Sequence, residues 1–567
     1  MPDPKFPRHA PVDRPYYNLG TYARTNTTQG AEAKVWFDRG LRWVYAFNHE
    51  AAIECFEAAI AYDDDFALAH WGVAYSLGPN YNKPWGFFDE DELQSTIERT
   101  RSETLKAMRA VEKSSSPVDK ALVDALQYRY QADKAPSDCS IWNADFAEAM
   151  RKAYAAHGDD LDVTALFADS LMNLTPWDLW DLRSGQPKDG AKTFEAKEVL
   201  EKAFKQPGGL EHPGLLHLYI HLMEQSPNPG DALPIANRLR GLLPDAGHLN
   251  HMPTHLDILC GDYAKAAQWN TTAIEADNKY LASVGPLNFY SLYRCHDYHF
   301  KIYAAMFAGQ YQVAIKTVTE MEETMPDDLM RIKSPPMADW MESALSFRYH
   351  VFVRFGKWQE VIDWKLPSDP DLYCFTTAIA QYAKGIAYAA TGQIDQAAEQ
   401  RKKFRQAAAS IPESRMLFNN KCKDLCHIAA AMLDGEIEYR KNNFEEAFSY
   451  LRQAIEYDDT LPYDEPWGWM QPTRHAYGAL LLEQGRAEEA AAVYKADLGY
   501  DETLPRALQH PNNVWSLHGL SECLTRLGKE TELKTLKPKL DAALAVTDVS
   551  IKSSCFCRLH VPEAAYD

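Results

Sequence analysis

Apolar positions recur every three to four residues from about residue 31 to about residue 545, with few interruptions. That period belongs to helices that bury one face. Alternating Val/Ile/Thr runs are rare and Asn-Gly hairpin turns are missing, so the pattern predicts an all-α chain. Residues 1–30 are rich in Pro, Thr and Asn and predict an extended arm. The clearest unit places Trp36, Gly40, Trp43 and Tyr45 on one helix and Ala52, Phe56 and Ala59 on the next, with a turn at Asn48, His49 and Glu50 between them. A small residue stands where the second helix crosses closely. Second helices of the same kind carry marker alanines at Ala232, Ala266, Ala314, Ala397, Ala447 and Ala490. Turns at Gly261, Gly309, Gly392, Asn443 and Gly485 precede the last five.

Ala232 and Ala266 are 34 residues apart, while Ala266 to Ala314 is 48 and Ala447 to Ala490 is 43, so some connections are longer. This pattern resembles the tetratricopeptide repeat, a helix-turn-helix of 34 residues, over most of residues 31–545. The resemblance implies a helical solenoid whose concave inner groove is lined mainly by each repeat's first helix. Residues 85–210 fit the repeat less well. They hold long helices, the loop Ser114–Pro117 and the aromatic loop Trp177–Asp181. The expected organisation is an arm over 1–30, a first repeat half over 31–350, a second over 351–545 and a tail over 546–567. The boundary near 350 rests on the turns Lys333–Met337 and Leu366–Pro370. Segments Phe47–Ala51, Gly78–Asn80, His217–His221 and Ala246–His255 also resemble those of a group of long bacterial and fungal proteins. That second resemblance groups the segments and implies no activity.

Eight of the 18 histidines, His212, His217, His221, His248, His251, His255, His296 and His299, fall within 88 residues. Uniform scatter puts about three there. Their phase is more telling. His217 and His221 stand fifteen and eleven residues before Ala232, and His251 and His255 stand at the same distances before Ala266. His299 and Tyr303 occupy those positions before Ala314, and His248 and His296 stand eighteen before Ala266 and Ala314. The same counts elsewhere give Phe37 and Leu41, Tyr382 and Ile386, Met432 and Glu436. In tetratricopeptide folds these phases face the ligand groove, so the resemblance implies imidazoles that converge on one space. Residues i and i+4 of a helix lie about 5–6 Å apart at Cβ, which suits two imidazoles on one metal ion.

The expected metal ligands are His217, His221, His251 and His255, with His248, His296, His299 and Glu224 behind them. Glu224 lies one turn past His221 on the same face, and Leu218 stands where a zinc protease needs its catalytic Glu. Pro253 belongs in a first helical turn, so a helix starts near His251 and His248 falls in a loop. Imidazole suits Zn, Cu, Fe and Ni; a histidine-rich pair points to copper, and His with Glu224 to iron, manganese or zinc. The cofactor expected is one divalent transition-metal ion (Cu, Fe or Zn), or two. Tyr303 takes a histidine position and is the candidate for acid/base or radical chemistry, with Glu224 a second catalytic candidate. Asp169 and Asn173 form a polar i,i+4 pair expected to meet substrate. The loop Gly78–Trp85 reads first as a helix stop and second as a groove edge that presents Asn80. The plainer alternative is a hydrogen-bonding polar lining that holds an anionic or peptide ligand.

A net charge of −21 repels phosphate backbones and anionic membrane surfaces. No signal peptide opens the chain and no apolar run of membrane-spanning length occurs, so a cytoplasmic location is expected. The ten cysteines read as free thiols, and the pairs Cys422/Cys426 and Cys555/Cys557 lack a second pair at zinc spacing. Aromatics reach 12%, enough to wall a groove. Phosphate loops and dinucleotide fingerprints are missing. The expected function is a metal-dependent enzyme on a small organic substrate, oxygen-activating ahead of a hydrolase or lyase. The other class is a non-catalytic peptide- or protein-binding scaffold. A homo-oligomer is compatible with either.

Overall fold

The computed structural model describes residues 15–24 and 30–560. Most of the expected arm and the end of the tail lie outside the described residues. Among the described residues, paired strands are confined to the two-residue hairpin of Met416–Leu417 with Asn420–Lys421; everything else regular is helical. The chain divides into two compact units. One comprises 1–256 with 272–283, and the other 257–271 with 284–567.

In the first unit the helices Ala31–Tyr45, His49–Tyr62 and Ala67–Leu77 pack in succession. The second starts where the Asn48 side chain accepts the Ala51 N–H at 3.1 Å, a standard N-cap. The ring of Phe56 fills the space left by two glycines. A Cβ on either Gly40 or Gly72 would stand 2.7 Å from it. The third helix ends before Gly78. Next come the long helix Glu90–Val111, then Pro117–Leu126, which Ser116 caps, and Leu161–Met172, which Asp160 caps. Pro213–Glu224 and Gly247–His251 follow later in the chain. Residues 15–24 carry no helix or strand, yet Leu19 and Arg24 are buried. Arg24 and Tyr22 meet Asp162, the second residue of the capped helix.

The later part of the second unit is a stack of helix pairs. Cys374–Ala390 pairs with Ile394–Ser410, Cys422–Arg440 with Phe444–Asp459, Thr473–Glu483 with Ala487–Asp497, and Val514–Arg526 with Glu530–Leu544. Each helix packs on the next, which is how a repeat array buries its apolar faces. The glycine–ring device recurs: the Tyr494 ring would be 2.6 Å from a Cβ on Gly478 and 2.3 Å from one on Gly519. All six marker alanines are fully buried. Ala232 differs from the expectation in one respect. It ends the 3-10 turn Pro229–Ala232 and only then does a helix, Leu233–Leu239, begin. Pro234 suits that helix's first turn, because a proline has no N–H to leave unsatisfied there.

Eight cysteines are free, as expected, and seven of them are buried. Cys555 and Cys557 depart from the expectation and form a disulfide; their Cα atoms lie 5.2 Å apart, within bridging reach. Among the described residues, no helix is long and apolar enough to cross a membrane.

Two outcomes follow from this packing. Gly72→Val drives methyl groups into the Phe56 ring, so the denaturation midpoint should fall by the equivalent of about 1–3 kcal/mol. An unchanged midpoint would show that the ring is not clamped. Asp458 accepts from Trp467 and from the Thr473 N–H that opens a helix. Burial, then the neighbouring Asp459, pushes its carboxyl up to about 6. The folded state therefore holds this proton more tightly than the unfolded state, whose carboxyl titrates near about 3.9. Stability should fall as pH rises through the window from about 4 to about 6. Chemical denaturation of Asp458→Asn across that window should show a smaller decline than the parent.

Candidate metal centre

The centre is built on the helix Pro213–Glu224, every residue of which is buried. Pro213 opens it, and His212 caps it by accepting the Leu215 N–H on Nδ1 at 3.2 Å. Gly214 lets Tyr45, the last residue of the first helix, come close; a Cβ there would stand 2.4 Å from the tyrosine ring. The approach brings the Tyr45 carbonyl to His217 Nδ1 at 2.7 Å. One turn on, His221 Nδ1 meets Glu224 Oε1 at 2.9 Å. A carbonyl and a carboxylate only accept, so both rings carry their proton on Nδ1. Nε2 is then the bare nitrogen on each, and on both rings it is buried without a hydrogen-bond partner.

His248 joins them. It does not fall in a loop, as the sequence suggested, but on the five-residue helix Gly247–His251. Pro253 starts a separate helix, Pro253–Leu259, so one break after Met252 satisfies the proline and leaves His248 helical. Gly247 permits this placement, since a Cβ there would collide with the Asp277 carboxylate. Ligand nitrogens of His217, His221 and His248 lie within 4.8 Å of one another. Ligand bonds of about 2.0–2.1 Å around a tetrahedral ion set nitrogens about 3.3 Å apart, so the rings would draw inward on binding.

His251 and His255 extend the cluster. Their Nε2 atoms are 2.7 Å apart, and the His248 and His251 rings stack at 5.7 Å. His255 Nδ1 donates to the second Glu224 oxygen at 2.5 Å. Glu224 thus holds the outer nitrogens of two imidazoles, His221 and His255, with one carboxylate. Such an outer contact fixes ring orientation and raises the basicity of the inner nitrogen. Burial lowers the His217 imidazole to about 4 and pushes His221 well below the usual histidine range. Both are neutral at neutral pH, the form a metal ion requires.

Aromatic rings enclose the trio. Phe47 lies 4.3 Å from the His217 ring and stacks on His221 and His248 at 6.0 and 5.6 Å. Tyr81 sits 4.8 Å from His221 and stacks on Trp177 at 5.5 Å. Phe47 and Trp177 have φ of 54° and 64°. A bulky residue in that region is strained and is held there by its surroundings. Sequence reading missed Phe47, Tyr81, Trp177 and the Tyr45 carbonyl as parts of this site. It also missed His49, whose Nδ1 contacts the Ser76 carbonyl at 3.0 Å and whose Nε2 is buried without a partner. The loop Gly78–Trp85 follows the end of a helix, as its first reading expects, and it places Tyr81, not Asn80, against the His221 ring.

Asp169, Asn80, His49 and His217 line one cavity of about 20 Å³. That holds about one water, whereas organic ligands occupy hundreds of cubic ångströms. Asp169 accepts from Tyr75 at 2.5 Å and from Asn173 at 2.9 Å. The Asn80 side chain accepts the N–H groups of Asn82 and Lys83 and closes its own turn.

The remaining candidates belong to the second unit, on the helix Ser291–Phe307. His299 stacks against Phe347 at 4.1 Å and Phe418 at 5.6 Å, and His296 meets Phe300 and Phe418 edge-on. Tyr303 stacks on Phe307 within an apolar cluster that includes Ile258 and Tyr263. Burial raises its hydroxyl well above the usual tyrosine value. His475 was overlooked, although it stands fifteen residues before Ala490, at the very count that selects His217, His251 and His299.

No protein-family model matches the chain, and no curated protein matches it. Similar solved structures include a human IFIT1 dimer with m7Gppp-AAAA, at 12% identity over 92% of this chain and 91% of that one, with a TM-score of 0.32. Yeast Tom70 gives 11% identity over 90% and 93%, with a TM-score of 0.30. The APC/C hetero-tetramer Cut9–Hcn1 gives 15% over 77% and 75%, with a TM-score of 0.27. Scores of this size carry no argument about the site.

Selective ¹⁵N labelling of histidine tests the proton assignment. In metal-free protein at neutral pH, His217 and His221 should each show the neutral form with the proton on Nδ1. An Nε2-protonated signal from either would remove the inward lone pair.

Proposed function

We propose that the chain is a metal-dependent enzyme whose ion is held by His217, His221 and His248 in the first unit. The reading is supported by one observation above all: the inward nitrogens of His217 and His221 are bare, buried and unpartnered beside a third imidazole. Leaving polar atoms so costs about 1–3 kcal/mol each unless something takes up the lone pair. A transition-metal ion does so, and three neutral imidazoles suit copper, zinc or iron. Three protein ligands leave a fourth position for water or dioxygen. Oxidative chemistry with dioxygen is the reaction class we favour. The space beside His217 suits a ligand of that size, and an organic substrate needs the ring walls to move. Glu224 acts from behind the ligands as a positioning residue. His251 and His255 offer two further imidazoles for a second ion.

A protein-docking scaffold is the second reading. In its favour, among the described residues no group of three candidate metal ligands lies wholly in the second unit, which is built as a plain stack of helix pairs.

Protein purified without added metal should carry close to one transition-metal ion per chain by elemental analysis. The double variant His217→Ala/His248→Ala should lose it and remain folded. Glu224→Gln should retain the site with affinity about 10–100-fold weaker in chelator competition. Folded protein that neither carries copper, zinc or iron nor takes one up ends the enzyme reading and leaves docking.

A further inference from the structure

Late in the second unit the chain lies on its own helix pairs as a bound peptide would. Asp548 anchors this segment by accepting the N–H groups of Tyr311 and Gln312 at 2.6 and 2.8 Å, at the open end of the helix Tyr311–Glu323. Residues 551–560 then run on without helix or strand. Such segments stay loose unless something ties them down. Here Ile551, Ser554, Cys557 and Arg558 are buried.

Successive helix pairs supply ties: Arg440 ends one first helix, Glu483 ends the next, and Glu522 lies on the third. Some of the contacts hold backbone. Arg354 Nη2 donates to the Ser554 carbonyl, Arg440 Nη2 donates to the Cys557 carbonyl, and Glu483 accepts the His560 N–H at 2.9 Å. Others read side chains. Ser554 Oγ donates to the His475 carbonyl at 2.8 Å and, its one proton spent, accepts the Tyr494 O–H at 2.6 Å. Phe556 packs on Gly356, where a Cβ would stand 2.7 Å from it, and its ring is 6.1 Å from Trp515. Arg558 makes a two-pronged ion pair with Glu522 at 2.6 and 2.9 Å, and both residues are buried. Backbone contacts for affinity and side-chain pockets for specificity are how proteins hold bound peptides.

The segment covers the face on which the first helices line up. Tyr382 and Ile386 stand fifteen and eleven residues before Ala397, Met432 fifteen before Ala447, and His475 fifteen before Ala490. With Cys555 and Cys557 of the segment they enclose a cavity of about 30 Å³, room for one or two waters. Arg354 is buried, and among the described residues no carboxylate forms an ion pair with it. Besides the Ser554 carbonyl it donates to His475 Nδ1 at 2.9 Å, and the His475 Nε2–H donates to Asp497 at 2.9 Å. A costly buried charge is thus spent on clasping this segment.

We propose that residues 551–560 are a displaceable internal ligand, and that the face beneath them is a docking groove for a partner's segment carrying a serine, an aromatic residue two positions on and an arginine two beyond that. The ties are mostly polar and the cover leaves a cavity, so the segment lifts without unravelling the stack. Glu522 answers the partner's arginine, and a chain of net charge −21 attracts a basic segment and repels an acidic one. A tethered ligand has a high local concentration, so the closed form prevails until a partner competes. A metal centre in the first unit is neither required nor excluded by this groove.

The probe is a fluorescein-labelled synthetic peptide of residues 551–560, closed by its own disulfide and titrated by anisotropy against the full chain. The parent should bind it weakly, because its groove is filled. The full-length double variant Ser554→Ala/Arg558→Gln, with a loosened segment over an intact groove, should bind it at least about tenfold more tightly. Because loss of a buried ion pair can also unfold a protein, Phe556→Ala serves as a second variant. It changes a half-buried ring, keeps every polar tie, and should tighten peptide binding at least about threefold. A peptide with Arg558→Gln should bind neither variant. No tightening in a folded variant overturns the proposal, and so does equal binding of the Arg558→Gln peptide. Metal content enters neither readout, so failure here leaves the metal reading standing.

Discussion

The histidine centre depends on how near the end of the helix Ala31–Tyr45 comes to the start of the helix Pro213–Glu224. The missing Cβ of Gly214 sets that distance. With the Tyr45 ring against bare backbone, the Tyr45 carbonyl reaches His217 Nδ1 and accepts a hydrogen bond from its N–H. The other ring nitrogen is then a lone pair pointing inward. One close contact between a ring and a bare backbone thus decides the protonation pattern of a side chain, and that pattern decides whether the side chain can be a ligand. Gly247 does a comparable service beside Asp277, where its lack of a Cβ lets the short helix that bears His248 sit close.

The cost of such a site is carried by its surroundings. Neutral imidazoles packed together in a dry interior need their outer nitrogens satisfied, and a carbonyl and one shared carboxylate do this for His217, His221 and His255. These outer hydrogen bonds hold the rings in orientation while two inner nitrogens stay bare. Phe47 and Trp177 add strain in their backbones and give flat walls in return. Strain is tolerated where ordinary repeat packing, with Phe56 and Tyr494 each seated between two glycines, supplies stability elsewhere.

A single repeat phase serves different chemistry in the two units. In the first it presents imidazoles, two of which, His217 and His221, have bare inner nitrogens. In the second it presents tyrosine, isoleucine and methionine beside an arginine, with a histidine turned outward to Asp497. The fold delivers side chains to a surface and is indifferent to what they do there, so function has to be argued from each site separately.

Periodicity alone determined the helical class, the recurring helix pairs and the buried alanines, because a helix must bury one face and the spacing of apolar residues records which face that is. It also determined that His217 and His221 share a helix face, since neighbours on a helix are a local matter. It did not reveal Phe47, Tyr81, Trp177 or the Tyr45 carbonyl, which reach the site from distant segments through backbone angles and close approaches that leave no periodic trace. Nor did it decide that His248 is helical or that, among the described residues, no carboxylate pairs with Arg354. The His221 proton is set by Glu224 three residues on, but the His217 proton is set by a carbonyl 172 residues away, which only the folded chain brings within hydrogen-bonding distance.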